Sequence, residues 1–206
     1  IKIGNIDFEQ EQALLKRIRR DFTASDVELR LDANGAFSPH DALEKLHRLS
    51  EWQIHSIEQP IAAGQWEQMA QLVQMSPIPI ALDEELIGIY SSAEKKQLLQ
   101  TIQPNYIILK PSLHGGISGC SEWIEGMKGL QADKPAKRWW VTSALESNIG
   151  LNAIAQWSAN QKPTLPQGLG TGMLFTNNID MPLQIKQDCL WFDPNGRYPN
   201  LENNLL

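Results

Sequence analysis

The chain has 206 residues and a net charge of −6, with 42% hydrophobic and 20% charged residues. This length supports one good-sized domain with a substantial core. The acidic balance without a basic stripe disfavours nucleic acid and anionic membrane as partners. We find no leader and no apolar run near the length of a membrane span, and Cys120 and Cys189 lack metal-type spacing. We therefore expect a soluble protein of the reducing cytoplasm.

The first half of the chain predicts alternating helices and strands. Leu14, Leu15 and Ile18 form the apolar side of an amphipathic helix. Ser38-Pro39 combines an N-cap residue with a first-turn proline and therefore begins a helix. The predicted elements are a helix over 9–20, a strand over 27–32, a helix from Ser38, a strand over 54–58, a helix over 66–74 and a strand over 78–83.

The second half continues the same alternation. The predicted elements are a helix over 91–102, a strand over 105–110, a helix over 118–130, a strand over 138–144, a helix over 147–160 and a short strand over 166–169. Residues 106–109 are apolar throughout, as strands buried on both faces are. The alternation predicts a parallel α/β barrel over residues 1–182. Residues 183–206 form a tail with a turn signal at Pro194-Asn195-Gly196.

Three carboxylates each follow a short apolar run, namely Asp32, Glu58 and Asp83. Roughly 25 residues separate each from the next, about the size of one βα unit. In a parallel barrel the ends of successive strands open on one face, where active sites are built. Three converging carboxylates repel one another unless a cation lies between them, so the spacing predicts a site for a hard divalent ion.

Two lysines extend this series of strand ends. Lys110 follows Asp83 by one further unit, and Lys2 precedes Asp32 by one unit. We expect the two lysines to face each other across the mouth of the barrel. A lysine beside a metal and partly desolvated can have its pKa lowered from about 10.4 towards 7–8, which makes it a base. The metal would hold the negative charge that develops when a C–H bond beside a carboxylate breaks.

Several motifs resemble, in order and spacing, the barrel of the enolase superfamily. They are Lys2-Ile3-Gly4, Asp32-Ala33-Asn34, Ile57-Glu58-Gln59-Pro60, Leu82-Asp83-Glu84 and Leu109-Lys110-Pro111. The lysine pair is similar to that of the muconate-lactonising subgroup, and residues 32–37 and 143–151 are most similar to the o-succinylbenzoate synthase family. The resemblance covers residue 1 to about residue 175. It implies a TIM-like (β/α)7β barrel, from which this sequence lacks the N-terminal capping domain and the first barrel strand.

The resemblance also implies an activity and a set of site residues. The activity is a dehydration that forms o-succinylbenzoate in menaquinone biosynthesis. Lys2 would remove the proton α to the substrate carboxylate and help the β-hydroxyl to leave as water, while Lys110 would stay an ammonium that stabilises the intermediate. Mg²⁺, or Mn²⁺ in its place, would be held by Asp32, Glu58 and Asp83, with Asn34 and Glu84 supporting them. The substrate would contact Ser143, Glu146, Ser147, Gly170 and Thr171.

Two alternatives stay open. Racemases of N-acylated amino acids and epimerases of dipeptides use the same lysine pair, but an Asp-x-Asp pair is expected where this chain has Gly170-Thr171-Gly172. A non-catalytic barrel fragment is favoured by the missing capping domain and strand. Ala144 also departs from the serine usual in relatives. We interpret the four histidines as surface or loop residues, and Trp139 and Trp140 as core side chains.

Overall fold

The computed structural model describes residues 1–130, 138–187, 189–196 and 198. The chain divides into two compact units. Unit 1 comprises Ile1–Ile108 and Trp123–Arg138, and unit 2 comprises Leu109–Glu122 and Trp139–Leu206. The prediction of a barrel domain over 1–182 and a tail over 183–206 stays a prediction.

Unit 1 begins with alternating helices and strands. The elements are α1 (Phe8–Asp21), β1 (Leu29–Asp32), α2 (Pro39–Ser50), β2 (Ile54–Glu58), α3 (Trp66–Met75), β3 (Ile80–Leu82), α4 (Ser92–Ile102) and β4 (Tyr106–Leu109), whose last residue belongs to unit 2. A short 3-10 helix over Glu84–Leu86 follows β3 directly. The alternation predicted for this half of the chain is confirmed, with boundaries shifted by a few residues.

Local sequence signals account for where these helices begin. The Ser38 side chain accepts a hydrogen bond from the Asp41 amide at 3.2 Å, and Pro39 occupies the first turn of α2. The Ser91 side chain accepts from the Glu94 amide at 3.2 Å in the same way and begins α4. Such caps satisfy amides that would otherwise lack an intrahelical partner. Both predicted helix starts are therefore confirmed.

Strands β1 to β4 form a parallel sheet in chain order. Ile57 in β2 pairs with Leu31 in β1 and with Ile80 in β3, and these side chains are buried. Since successive side chains of a strand point to opposite faces, this apolar layer places the neighbouring residues Asp32 and Glu58 on the other face of the sheet. The register alone therefore gives two of the candidate ligands a shared face.

Strand β1 is shorter than the sequence predicts. Val27 lies outside it and is 36% exposed. The Val27 carbonyl accepts a hydrogen bond from the Arg19 guanidinium at 2.8 Å. The same guanidinium also binds the carbonyls of Trp52 at 2.8 Å and Gln53 at 3.0 Å. Arg19 thus joins the end of α1 to the segments that lead into β1 and β2.

Unit 2 contains β5, α6 and an antiparallel hairpin. The elements are β5 (Trp139–Val141), α6 (Asn148–Asn160), a 3-10 helix (Gly170–Leu174), β6 (Leu183–Lys186) and β7 (Cys189–Phe192), and α5 (Gly116–Leu130) has its first half in this unit. The Thr142 amide, just after β5, donates to the Leu109 carbonyl at the end of β4 at 2.9 Å. Trp139 and Trp140 are buried, as predicted.

The predicted strand over 166–169 is wrong. The structure has only an isolated bridge there, between Gly168 and Thr142. The Gln167 side chain explains this, because its Oε1 accepts from the Val141 amide at 2.7 Å. Its Nε2 donates to the Leu165 carbonyl at 2.6 Å. A side chain therefore makes hydrogen bonds that a strand would make with its backbone, and Pro166 has no amide to donate.

The predicted tail begins with the β6–β7 hairpin, whose register pairs Leu183 with Phe192 and Lys186 with Cys189. The turn signal after it is confirmed, since the Gly196 amide donates to the Asp193 carbonyl at 3.0 Å. Residues 199–206 lie outside the described residues. Cys189 is exposed, whereas Cys120 in α5 is buried. No helix in the described part of the chain combines the length and apolar character needed to cross a membrane.

Candidate active site

Asp32 and Glu58 lie side by side at the ends of neighbouring parallel strands. They are direct register partners, and the Ala33 amide donates to the Glu58 carbonyl at 3.0 Å just beyond them. Neighbouring strands are about 4.8 Å apart, so the two carboxylates leave the sheet next to each other. The predicted proximity of these two residues therefore follows from the observed register.

Asp83 follows β3 and is completely buried. Its neighbour Ala81, two residues earlier, is the register partner of Glu58. A separation of two residues keeps the same face of a strand, although Asp83 itself begins the turn into Glu84–Leu86. The Asp83 amide donates to Oε1 of Gln59 at 3.3 Å. The loop after β2 therefore contacts the end of β3 directly.

Lys2 lies against Asp32. The two residues form a parallel bridge, and Lys2 Nζ is 2.6 Å from Asp32 Oδ2. The lysine side chain is 64% exposed. The hydrogen bond that Lys2 donates to Asp32 raises the pKa of Lys2 above its ordinary value and outweighs the opposing effect of burial. In this structure the shift is thus opposite to the lowering considered from the sequence, because a carboxylate is the nearest charge.

Asn34 connects these groups to Glu84. Its Nδ2 donates to Glu84 Oε1 at 2.8 Å, its Oδ1 accepts from Lys2 Nζ, and its backbone amide donates to Asp32 Oδ1 at 3.1 Å. Asn34 adopts a φ of 44°, a left-handed conformation that Asn tolerates better than most residues. Glu84 Oε2 is buried and lacks a hydrogen-bond partner among the described residues. These contacts fit the supporting role proposed for Asn34 and Glu84.

The structure does not gather the predicted ligands into a formed metal centre. Among the described residues, no group of three or more His, Cys, Asp or Glu side chains is arranged to hold an ion. The hard oxygen donors, the shared face of Asp32 and Glu58, and the unpartnered Glu84 oxygen fit Mg²⁺ chemistry. The three-carboxylate site stays a prediction.

Unit 2 holds Lys110, which follows β4. The Lys110 amide donates to Nδ1 of His114 at 3.2 Å, and the His114 amide donates back to the Lys110 carbonyl at 3.1 Å. His114 lies in the turn that follows β4, in line with its interpretation as a surface or loop residue, but its side chain is completely buried. His55, on β2, is also only partly exposed, and the centroid of its ring lies 5.2 Å from that of Tyr106. Whether Lys2 and Lys110 face each other stays a prediction.

The segment before α6 is organised around Glu146. Its carboxylate accepts hydrogen bonds from the Ser143 hydroxyl at 2.8 Å, the Ala144 amide at 2.9 Å and the Ser112 hydroxyl. Burial by itself raises the pKa of Glu146, but these hydrogen bonds together outweigh it and hold the pKa below its ordinary value. The Glu146 carboxylate is thus hydrogen-bonded to residues of its own unit.

The helix that follows begins without a side-chain cap. Ser147 is the N-cap residue of α6 and makes no capping hydrogen bond from its side chain. Asn148, the first residue of the helix, directs its side chain to Ile179 instead. Gly170 and Thr171 begin the 3-10 helix over Gly170–Leu174, and Thr171 Oγ1 is buried without a hydrogen-bond partner among the described residues. Direct contact of these residues with a substrate stays a prediction.

Sequence reasoning overlooked two buried polar residues beside the candidate ligands. Gln59 and Glu85 are 0% and 4% exposed. The sequence motifs include Gln59 without assigning it a role, and Glu85 lies just outside them. The available signal was the presence of Gln and Glu where apolar strands end, since buried polar groups require partners.

The chain is similar to known proteins over most of its length. The family described as Enolase C-terminal domain-like matches residues 1–190. An o-succinylbenzoate synthase of Desulfotalea psychrophila is 53% identical over 185 residues, which cover 90% of this chain and 49% of that protein. A crystal structure described as MenC from the same organism superposes with a TM-score of 0.84 at 51% identity, over 92% of this chain and 51% of that one.

Two further relatives bear on the ion and on the alternative activity. A crystal structure of o-succinylbenzoate synthase from Thermosynechococcus elongatus, complexed with Mg in its active site, gives a TM-score of 0.67 at 29% identity over 81% of this chain and 50% of that one. An L-Ala-D/L-Glu epimerase of Bacillus subtilis is 27% identical over 91% of this chain and 47% of that protein.

This chain spans about half the length of the relatives it matches. Its fold is nevertheless that of their barrel region, as the TM-score of 0.84 shows. The family match extends over nearly the whole sequence, from residue 1 to residue 190. The chain belongs to the enolase C-terminal domain-like family.

Proposed function

We propose that this chain supplies the barrel part of a Mg²⁺-dependent dehydratase. The reaction converts 2-succinyl-6-hydroxy-2,4-cyclohexadiene-1-carboxylate into o-succinylbenzoate, a step of menaquinone biosynthesis. The observation that carries this proposal is the 53% identity to the Desulfotalea synthase across 90% of the chain. The complete fold would be a (β/α)7β barrel with a capping domain.

Asp32, Glu58 and Asp83 are the residues that would hold the ion. When bound, Mg²⁺ would stabilise the negative charge that develops on the substrate carboxylate as the α-proton leaves. Mn²⁺ would suit the same oxygen donors. Asn34 and Glu84 would keep Asp32 and Lys2 oriented, because Asn34 bonds to Asp32, Lys2 and Glu84.

Lys2 would carry the proton transfer. Its neutral Nζ accepts the α-proton of the substrate, and the resulting ammonium gives a proton to the β-hydroxyl, which leaves as water on the same face. One C–H bond and one C–O bond break, one C=C bond forms, and the lysine returns to its starting state. Lys2 is a base only when Asp32 Oδ2 is engaged elsewhere, because that oxygen accepts a hydrogen bond from the Lys2 ammonium and so stabilises its protonated form.

Further residues would contact the substrate. Lys110 would remain an ammonium and stabilise developing charge. The backbone amides that begin α6, next to Ser147, would bind the succinyl carboxylate, since helix N-termini favour anions. Ser143 would join them by turning its hydroxyl away from Glu146, to which it donates at 2.8 Å. The segment at Gly170 and Thr171 would close the pocket. We further propose that the protein works in the cytoplasm on a small carboxylate substrate and not on nucleic acid or membrane.

Epimerisation of dipeptides is the second candidate, because of the likeness to the Bacillus subtilis epimerase. Two-base epimerisation would use the same pair, Lys2 and Lys110. Against it stands the sequence Gly170-Thr171-Gly172, which lacks the acidic pair that would bind the amino terminus of a dipeptide.

The test is a direct comparison of the two activities in the full-length protein. We expect loss of water from the hydroxycyclohexadiene carboxylate, abolished by a chelator and restored by Mg²⁺. L-Ala-D/L-Glu would show little exchange of its α-proton with deuterium. A control variant is Glu44→Gln, which removes an exposed charge from α2. Faster epimerisation than dehydration, or activity unaffected by the chelator, would overturn the proposal.

A further inference from the structure

Gln59 occupies an unusual position for a polar residue. It follows the candidate ligand Glu58 directly and its side chain is completely inaccessible to solvent. Its Oε1 accepts from the amides of Asp83 at 3.3 Å and Glu85 at 3.2 Å. Its Nε2 donates to the Ile61 carbonyl at 3.0 Å and to Glu85 Oε2 at 3.1 Å. One side-chain amide therefore links the loop after β2 to the turn after β3.

Glu85 completes this link from the other side. Its side chain is buried, and its Oε1 accepts from the Gly64 amide at 2.7 Å while its Oε2 accepts from Gln59. A buried carboxylate without such bonds would be strongly destabilising. The Gln59–Glu85 pair is thus a satisfied polar connection within unit 1, and removing either partner leaves the other with unmade hydrogen bonds.

The backbone of Gln59 is also held by hydrogen bonds. Its amide donates to the Ala81 carbonyl at 2.9 Å, and its carbonyl accepts from the Gly35 amide at 2.7 Å. Its φ is 39°, in the left-handed region that residues other than glycine seldom adopt. Such a conformation persists only where the surroundings determine it, and it is typical of functional sites. Gln59 therefore contacts the segments after Asp32 and around Asp83.

We propose that Gln59, together with Glu85, is a positioning residue for the metal site. The proposal rests on the metal-binding role given above to Glu58 and Asp83. Gln59 does not ligate the ion itself. Its side chain sets how far the end of β2 lies from the turn that carries Asp83, so that both carboxylates reach the same ion. The polar link thus provides preorganisation that apolar packing of the two loops would lack.

The first test removes the link and measures Mg²⁺ binding by calorimetry in the full-length protein. Gln59→Leu keeps the approximate volume but loses all four side-chain hydrogen bonds. We expect Mg²⁺ affinity to fall by about 10- to 100-fold, as for residues that orient metal ligands. The matched control is Gln65→Leu, which loses one hydrogen bond to the Ala62 carbonyl nearby and should leave affinity unchanged. Unchanged affinity in Gln59→Leu would overturn the proposal.

A second test restores the link with the groups exchanged. Gln59→Glu and Glu85→Gln each disrupt the pair, but in the double variant the new amide at position 85 can donate to the new carboxylate at position 59. We expect both single variants to bind Mg²⁺ weakly and the double variant to recover much of the loss, which a double-mutant cycle quantifies. Mn²⁺ binding, followed by electron spin resonance, should rank the variants in the same order of binding strength. Additive losses in the double variant would overturn the proposal.

Two further readouts separate the possible failures. If melting temperatures without metal change but Mg²⁺ affinity does not, the link is only structural and the inference is wrong. If wild type binds Mg²⁺ and Gln59→Leu does not, while neither dehydrates the hydroxycyclohexadiene carboxylate, the inference stands and the proposed reaction is wrong. A wild type that binds no Mg²⁺ would overturn both.

Discussion

Asp83 combines complete burial with a carboxylate that the proposed function assigns to an ion. Asp83→Asn keeps the shape of the side chain but removes the charge. We expect the melting temperature without metal to be unchanged or higher, because a buried charge is costly. The rise in melting temperature on adding Mg²⁺ should disappear, since an ion that binds the native state stabilises it by mass action.

The measurement for Asp83→Asn is a pair of melting curves with and without Mg²⁺. Glu44→Gln serves as the control, because it removes one exposed charge from the same unit. A Mg²⁺-induced rise equal to that of wild type in Asp83→Asn would exclude Asp83 as a ligand.

Lys2 and Lys110 are expected to have different roles, proton transfer for Lys2 and charge stabilisation for Lys110. Arginine keeps the positive charge but cannot act as a base at neutral pH. Lys110→Arg should therefore retain some dehydratase activity, whereas Lys2→Arg should retain none. The assay follows water loss and deuterium wash-in at the α-carbon in the full-length protein. Equal loss in both variants would instead favour two-base epimerisation.

At the level of residues, the sequence predicted the strand ends better than the environment of each side chain. Regular spacing placed Asp32 and Glu58 at the ends of β1 and β2 and Asp83 directly after β3, because the βα unit has a nearly constant length. The burial of His114 and the link between Gln59 and Glu85 depend on which loops meet in space. That information lies in tertiary contacts, which no local pattern reports.

Arg19 connects elements that are far apart in the sequence. Its guanidinium donates to the carbonyls of Thr23, Val27, Trp52 and Gln53. Lysine carries the same charge but lacks the planar fork that reaches several acceptors. We expect Arg19→Lys to lower the free energy of unfolding by about 1–3 kcal/mol.

Urea denaturation measures the effect of Arg19→Lys. The neighbouring Arg20→Lys is a matched control, because Arg20 is exposed and its guanidinium bonds only to Asp21 among the residues that the structure describes. If the two variants have the same midpoint of denaturation, the carbonyl contacts of Arg19 contribute nothing to stability.

The segment before α6 should show a defined dependence on pH. The pKa of Glu146 lies below its ordinary value of 4.5. Its ionised form therefore contributes stability that is present above about pH 4.5 and is lost as the pH falls through the lower, folded-state pKa. We expect Glu146→Gln to melt below wild type at pH 6, with a smaller difference at pH 3. Glu67→Gln, exposed on α3, should show no such trend. A pH-independent difference would contradict this expectation.

Among the elements, helices were predicted more reliably than short strands. Ser38 and Ser91 carry their capping signal in the local sequence, and the structure uses both. A strand requires a partner, and at residues 166–169 the Gln167 side chain takes hydrogen bonds that a neighbouring strand would need. Side-chain competition of this kind is invisible in an apolar pattern.

For the whole molecule, ion binding should protect some backbone amides from hydrogen exchange more than others. If Asp32, Glu58 and Asp83 share an ion, Mg²⁺ should slow amide exchange in the segments that follow them, because opening those segments would require releasing the ion. The β6–β7 hairpin serves as an internal reference whose exchange should stay constant. Hydrogen–deuterium exchange with and without Mg²⁺ measures this, and uniform protection would contradict a local site.

Cys120 is buried and Cys189 is exposed, so the two thiols should differ in their reactivity towards a labelling reagent. A maleimide dye should attach to Cys189 in the native protein and reach Cys120 only after unfolding. The wild-type chain can therefore be labelled at the start of β7 without engineered cysteines. Counting attached dyes by mass spectrometry then gives a direct measure of how much of a preparation is folded.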